Sequence, residues 1–246
     1  VLGTIVNNGT FALEAGGSST RISLQGDTVF NGSGTLSLSD SVLNLVTGTT
    51  AATLTNTADH TIRGSGQLGG NIIGLDNEGL VEATGAAGLT LNLRIVNDTT
   101  RRNAGTLRAA TGGTLSITQG VIDNGAGVIE ATSGGAVNIT GNSTLIDGGT
   151  LTGPGAFTLS GSAELAGVTT DATITIANAQ TGEISGTIAN SGTIALAASG
   201  STTTLSLQGD TVFDGPGAIQ MSDNGLNRII GTTAATLTNT ADHTIS

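Results

Sequence analysis

Residues Val121 to Gly141 read VIDNGAGVIEATSGGAVNITG. Three short runs alternate apolar with small or polar side chains, and Gly-rich turns stand between them. Alternation over four to six residues places one side chain inward and the next outward, as in a half-buried strand. The same period-two pattern recurs along the chain. Examples are Phe11 with Leu13, Leu36 with Leu38, Leu89 with Leu91 and Leu93, Leu115 with Ile117, and Leu205 with Leu207. No window keeps helical spacing.

Two recurrent marks punctuate these strands. One is Asn-x-Gly, at Asn7 to Gly9, Asn77 to Gly79, Asn103 to Gly105 and Asn190 to Gly192. The other is Gly-x-Gly-x-apolar, from Gly32 to Leu36, Gly64 to Leu68, Gly153 to Phe157 and Gly215 to Ile219. Asn and Gly tolerate positive φ, so the chain can turn where a β-branched residue could not. Strand, turn, strand, turn, strand, turn makes a unit of about 20 to 25 residues with three strands. Such a unit cannot bury a core alone, but stacked units can.

A much longer repeat overlies this one. Thr4 to Ile62 aligns with Thr187 to Ile245 without a gap, at an offset of 183 residues. SLQGDTVF recurs at residues 23–30 and 206–213, and GTTAATLTNTADHTI at 48–62 and 231–245. A hairpin-based sandwich or barrel could use short alternating strands. The unit length, the equivalent turns and the ungapped long repeat favour instead an all-β, right-handed parallel β-helix, or β-solenoid. It would run through residues 1–246 as one body, with a superrepeat over 4–186 and a second copy beginning at 187. The reading expects a whole number of coils, about eight, in each superrepeat. Asn7, Asn77, Asn103 and Asn190, with Gly9, Gly79, Gly105 and Gly192, are the candidate corner residues. Stacked asparagine amides could there hydrogen-bond along the axis.

Composition agrees with a thin, elongated core. Forty glycines, two prolines and four phenylalanines, with no Trp, Tyr or Cys, leave little bulk for one compact interior. Yet hydrophobic residues make up 37% and the mean hydropathy is +0.20, too apolar for a disordered linker. The net charge is −11 and the seven basic residues are all Arg, without a cluster, which disfavours nucleic acid as a partner. Lack of Cys excludes disulfides and thiolate chemistry. No run reaches the roughly 18 to 20 apolar residues of a membrane span, and no signal peptide is visible at Val1.

The repeats NSGTI at 190–194, NAGTL at 103–107 and GSGTL at 32–36 resemble those of filamentous haemagglutinin-like exoproteins of two-partner secretion, and more loosely of autotransporter passengers. The likeness extends over the whole chain as a style of repeat. It implies a secreted or cell-surface bacterial β-helix fibre that serves adhesion, aggregation or biofilm structure. Its partners would be neighbouring repeats, copies of itself end to end, or surface glycans and proteins. The secretion domain and any toxin tip of that family have no counterpart here.

The chemical alternatives are weaker. His60 and His243 occupy the same repeat position in TADHTI, where an exposed or turn residue is the simple expectation; Asp59 would face away from His60 in a strand. A polysaccharide-acting β-helix enzyme would need clustered carboxylates with an Arg base, and Asp98 near Arg101 and Arg102 is the one local pairing. The segment carrying it reads as a loop with solvated charges. Phe11, Phe30, Phe157 and Phe213 fit core positions rather than a sugar platform. An ice-binding face could use Thr173 and Thr175, but Thr-x-Thr does not recur from coil to coil. The expectation is a structural protein without enzymatic activity, cofactor or metal.

Overall fold

A computed structural model describes residues 1–96, 99–231 and 234–246. These residues form strands and turns with no helix, and the strands pair in parallel, each with its counterpart one coil above and below. The fold is a β-solenoid of about ten coils. No helix among the described residues is long and apolar enough to cross a membrane.

Each coil contributes one strand to each of three faces. Face one begins with Gly3–Val6, Thr28–Asn31, Ala52–Asn56 and Ile73–Asn77. Face two begins with Thr10–Leu13, Thr35–Leu38, Thr61–Gly64 and Leu80–Ala83. Thr20–Leu24, Asn44–Gly48, Gly66–Leu68 and Leu89–Asn92 open face three. Three longer strands, Thr114–Asp123, Thr181–Asn190 and Thr203–Asp214, pass from one face to the next.

Alternation along each strand builds the interior. Leu36, Leu38, Leu89, Leu91, Leu93, Leu115, Ile117, Val137, Ile139, Leu205 and Leu207 are buried, and they belong to one apolar cluster running from Leu13 to Ile219. Phe30, Phe157 and Phe213 also lie inside, whereas Phe11 is 40% exposed. Its inward position is occupied in the second copy by Ile194, which is 1% exposed because Ile174 lies on the coil before it. Phe11 is in the first coil and meets Phe30 only edge-on, with ring centroids 6.3 Å apart.

Corners are sharpest where the chain must fold back against the coil above. Gly64 has φ +127°, and a Cβ there would collide with the Leu38 carbonyl. The leading glycines of the other Gly-x-Gly marks, Gly32, Gly153 and Gly215, share this left-handed conformation with φ of +97°, +110° and +94°. The mark therefore encodes a backbone shape.

The long repeat does not contain a whole number of coils. Eight rungs below Gly3–Val6 on face one lie residues 182–185, reached through Thr28–Asn31, Ala52–Asn56, Ile73–Asn77, Arg101–Asn103, residues 120–123, Thr144–Asp147 and Ala163–Ala166. The strand equivalent to Gly3–Val6 in the second copy, residues 186–189, comes one strand later. It sits on face two, beneath Thr169–Thr170. Likewise residues 193–197, the copy of face-two Thr10–Leu13, lie on face three beneath Thr173–Ala177. One period is thus eight coils and one strand, or eight and a third coils. Coil length varies, with successive corner asparagines 21, 26 and 21 residues apart, so the phase could not be obtained by dividing the period by a mean unit.

Charges line up on the outer surface. Arg63, Glu82, Arg108 and Glu130 stack in register on face two, with contacts of 4.0 Å from Arg63 to Glu82, 3.6 Å from Arg108 to Glu82 and 2.7 Å from Arg108 to Glu130. Hydrogen bonding to Glu130 holds the Arg108 guanidinium above its already high usual range. These groups are partly solvated, so the column stabilises weakly. Arg108→Ala is expected to cost about 1 kcal/mol or less in chemical denaturation, and less still in molar salt. A loss that is larger and insensitive to salt would show that Arg108 acts by packing.

Candidate functional site: an asparagine and histidine ladder at the coil corners

Between faces one and two, the chain places asparagines above one another at the end of the face-one strand. Asn56 donates through Nδ2 to Asn77 Oδ1 at 2.8 Å, Asn77 to Asn103 Oδ1 at 2.8 Å, and Asn103 to Asn124 Oδ1 at 2.7 Å. Asn124 donates in turn to the Gly148 carbonyl at 3.1 Å. All four asparagines are at most 1% exposed. A buried amide without partners is costly, so one-directional stacking lets each satisfy the next. The second Nδ2 hydrogen is shared with turn carbonyls, including Gly79 O and Thr106 O for Asn77 and Val128 O for Asn103.

The glycines of the Asn-x-Gly mark provide clearance for this stack. A Cβ on Gly79 would strike the His60 carbonyl, one on Gly105 the Gly79 carbonyl, and one on Gly192 the Ala172 carbonyl. Gly9, in the first coil, has open space around it.

Asn7 and Asn190 do not meet another asparagine directly. One coil below Asn7 the inward position at the corner belongs to Phe30, which pairs with Ile5 above and Asn56 below. His60 spans that interruption. Its ring stacks on Phe30 with centroids 5.3 Å apart and planes 30° apart. Nδ1 lies 2.7 Å from Asn56 Oδ1 and Nε2 lies 3.1 Å from Asn7 Nδ2. The ladder therefore runs from Asn7 through His60 to Asn56 and onward.

The arrangement is rebuilt in the second copy. His243 stacks on Phe213 at 5.2 Å and 22°, with Nδ1 2.7 Å from Asn239 Oδ1 and Nε2 3.0 Å from Asn190 Nδ2. Because the period carries an extra strand, this second cluster stands between faces two and three. His60 and His243 are 0% and 4% exposed, which corrects the expectation of exposed residues. They occupy turns, as the repeat position suggested, but the rings fold inward. Asn56 and Asn124 were missed because neither opens an Asn-x-Gly mark. A complementary signal is the inward apolar residue two places earlier, as in LTN at 54–56, LDN at 75–77 and IDN at 122–124; Asn103, which follows Arg101, is found by its Asn-x-Gly mark alone.

No family model, curated protein or solved structure matches this chain.

The ring protonation follows from the partners. Asn7 Oδ1 accepts from Gly9 N at 3.2 Å, and Asn190 Oδ1 accepts from Gly192 N at 3.0 Å. Their Nδ2 groups must then face the rings, which makes each Nε2 an acceptor and places the single proton on Nδ1. Burial pushes both imidazoles below the usual histidine range; for His243 the nearby Asp214 carboxylate opposes that shift.

Other candidate groups are placed apart from this ladder. Asp98 lies outside the described residues. Arg102 is held by Asp76 and Glu78, both at 2.7 Å, and Arg101 donates to the carbonyls of Arg94, Val96 and Val121 at 3.0, 2.9 and 3.0 Å. Arg101–Asn103 is a strand of face one rather than part of a loop. A shallow groove on face one is bounded by Ile95, Val121, Leu145, Glu164 and Glu183. Burial and the neighbouring Glu164 push the Glu183 carboxyl up, opposed by a hydrogen bond from Ser162. Thr173 and Thr175 point out of face three, next to Thr193 and Ala195 on the following coil.

Proposed function

We propose that this chain is a structural and adhesive repeat module of an elongated, secreted or cell-surface bacterial fibre, acting without catalysis. One observation carries the reading. The Asn–His–Phe corner of the first copy is rebuilt 183 residues later with the same contacts, so a period lengthens the shaft while its strands stay stacked. Resemblance of the turn repeats to filamentous haemagglutinin-like exoproteins supports the adhesive and extracellular part, including a role in aggregation or a biofilm matrix. The mechanical part rests on the buried apolar column, worth about 20 to 33 cal/mol per Å² of apolar surface covered.

The partners in this reading are neighbouring repeats or copies of the chain at its ends, and glycans or proteins of a host or bacterial surface. Strands of the first and last described coils could pair with strands of a further coil or of another copy. Chains carrying one, two and three periods should lengthen by about 40 Å per period in small-angle scattering, since each coil rises about 4.8 Å. Growth in cross-section instead would defeat the fibre. Beads coated with the chain should bind cells or surface glycans above albumin-coated beads; equal binding would remove the adhesive role.

A further inference from the structure

We propose that His60 and His243 form a proton-sensitive joint in the solenoid: acidification severs the corner ladder at both histidines and loosens the coils they connect. Each ring accepts at Nε2 from an asparagine Nδ2, at 3.1 Å for Asn7 and 3.0 Å for Asn190. A proton on Nε2 would set two donors against each other. Flipping the asparagine amide does not cure this, because its Nδ2 would then face the N–H of Gly9 or Gly192, which its Oδ1 now accepts. The conflict is only moved two residues along.

The surroundings do not welcome a charge. Phe30 and Phe213 offer a cation some attraction through their ring faces. However, the rings are 0% and 4% exposed, and among the described residues no carboxylate is hydrogen-bonded to either. The charged groups around the first joint are Asp59, adjacent in the chain, and Glu78, beside the Gly79 that packs on the His60 carbonyl. Around the second they are Asp242 and Asp214, the latter accepting from Thr240 Oγ1 at 3.1 Å. Asn31 stands where the second copy has Asp214, and its Oδ1 accepts from Thr57 Oγ1 at 3.2 Å. His60 therefore lacks the carboxylate that His243 has, and is the harder of the two to protonate.

The direction of the effect follows from linkage. Folded imidazoles held below their unfolded affinity are stabilising above the unfolded pKa of about 6.5, and that stability is lost as pH falls below it. At pH 5.5 each histidine would weaken folding by up to about tenfold, both by up to about a hundredfold. For a chain of this size that lowers Tm by about 5 to 10 °C.

The test compares the whole chain with a His60→Gln and His243→Gln double variant at pH 7.5 and 5.5. Gln keeps one donor and one acceptor but does not titrate. The unaltered chain should lose several degrees between the two pH values, and the double variant should lose markedly less. Equal losses would assign the effect to groups other than the two histidines and overturn the proposal. Nitrogen NMR of the unaltered chain supplies a second measurement if the variant does not fold. Both rings should be Nδ1–H tautomers at pH 7.5 and protonate below the usual histidine range. An Nε2–H tautomer, or ordinary titration, would overturn it as well.

Discussion

Asn103→Ala should lower stability by about 2 to 4 kcal/mol, a large effect for a single polar side chain. Asn103 is the middle of the ladder and bonds in both directions, to Asn77 at 2.8 Å and Asn124 at 2.7 Å. Its removal strips Asn124 Oδ1 of the donor it faces and leaves Asn77 Nδ2 with only two longer contacts, at 3.2 and 3.3 Å, to Gly79 and Thr106 carbonyls. Each stranded buried group costs about 1 to 3 kcal/mol, and Asn77 and Asn124 are both fully buried. Asn142→Ala, at an exposed turn, is the control and should stay within about 0.5 kcal/mol of the parent. Hydrogen exchange is the suitable readout, because stacked repeats can open locally. Amides of the coils on either side of Asn103 should lose protection first. If they match the control, the amide stack is incidental to stability.

Gly64→Val should be at least as severe, at about 3 to 5 kcal/mol. Two separate penalties act there. The backbone sits at φ +127°, where a β-branched residue is strained, and the new Cβ would press on the Leu38 carbonyl one coil above. Gly17 separates them, since it has φ +108° but no atom within 4 Å of where a Cβ would lie. Gly17→Val should therefore show only the conformational part, about 1 to 3 kcal/mol. Similar melting of the two variants would mean that coil-to-coil clearance at Gly64 contributes little.

The sequence disclosed strand content, inward residues and corner chemistry because each is local. Leu89, Leu91 and Leu93 alternate, and alternation alone decides which side faces the core. The Asn77 and Asn103 corners are likewise announced by the glycine two residues on. What stayed hidden depends on phase. Coils of 21 and 26 residues follow one another, so no mean unit length predicts on which face a given strand falls. The inward turn of His60 was hidden for the same reason. It depends on Phe30 interrupting the corner and on Asn7 lying two coils above Asn56, neither of which is near His60 in sequence.

The extra strand in each period has a geometric consequence for anything the repeat carries on its outside. A chain that continues the period advances about 40 Å and turns by one third of a revolution, so equivalent residues trace a threefold screw around the shaft. A flat surface lying along one side meets the same residue once in every three periods, about 120 Å apart. Anything that encloses the shaft would meet it at every period, from successive directions. A small departure from an integral coil count thus converts a one-sided repeat into an all-round one.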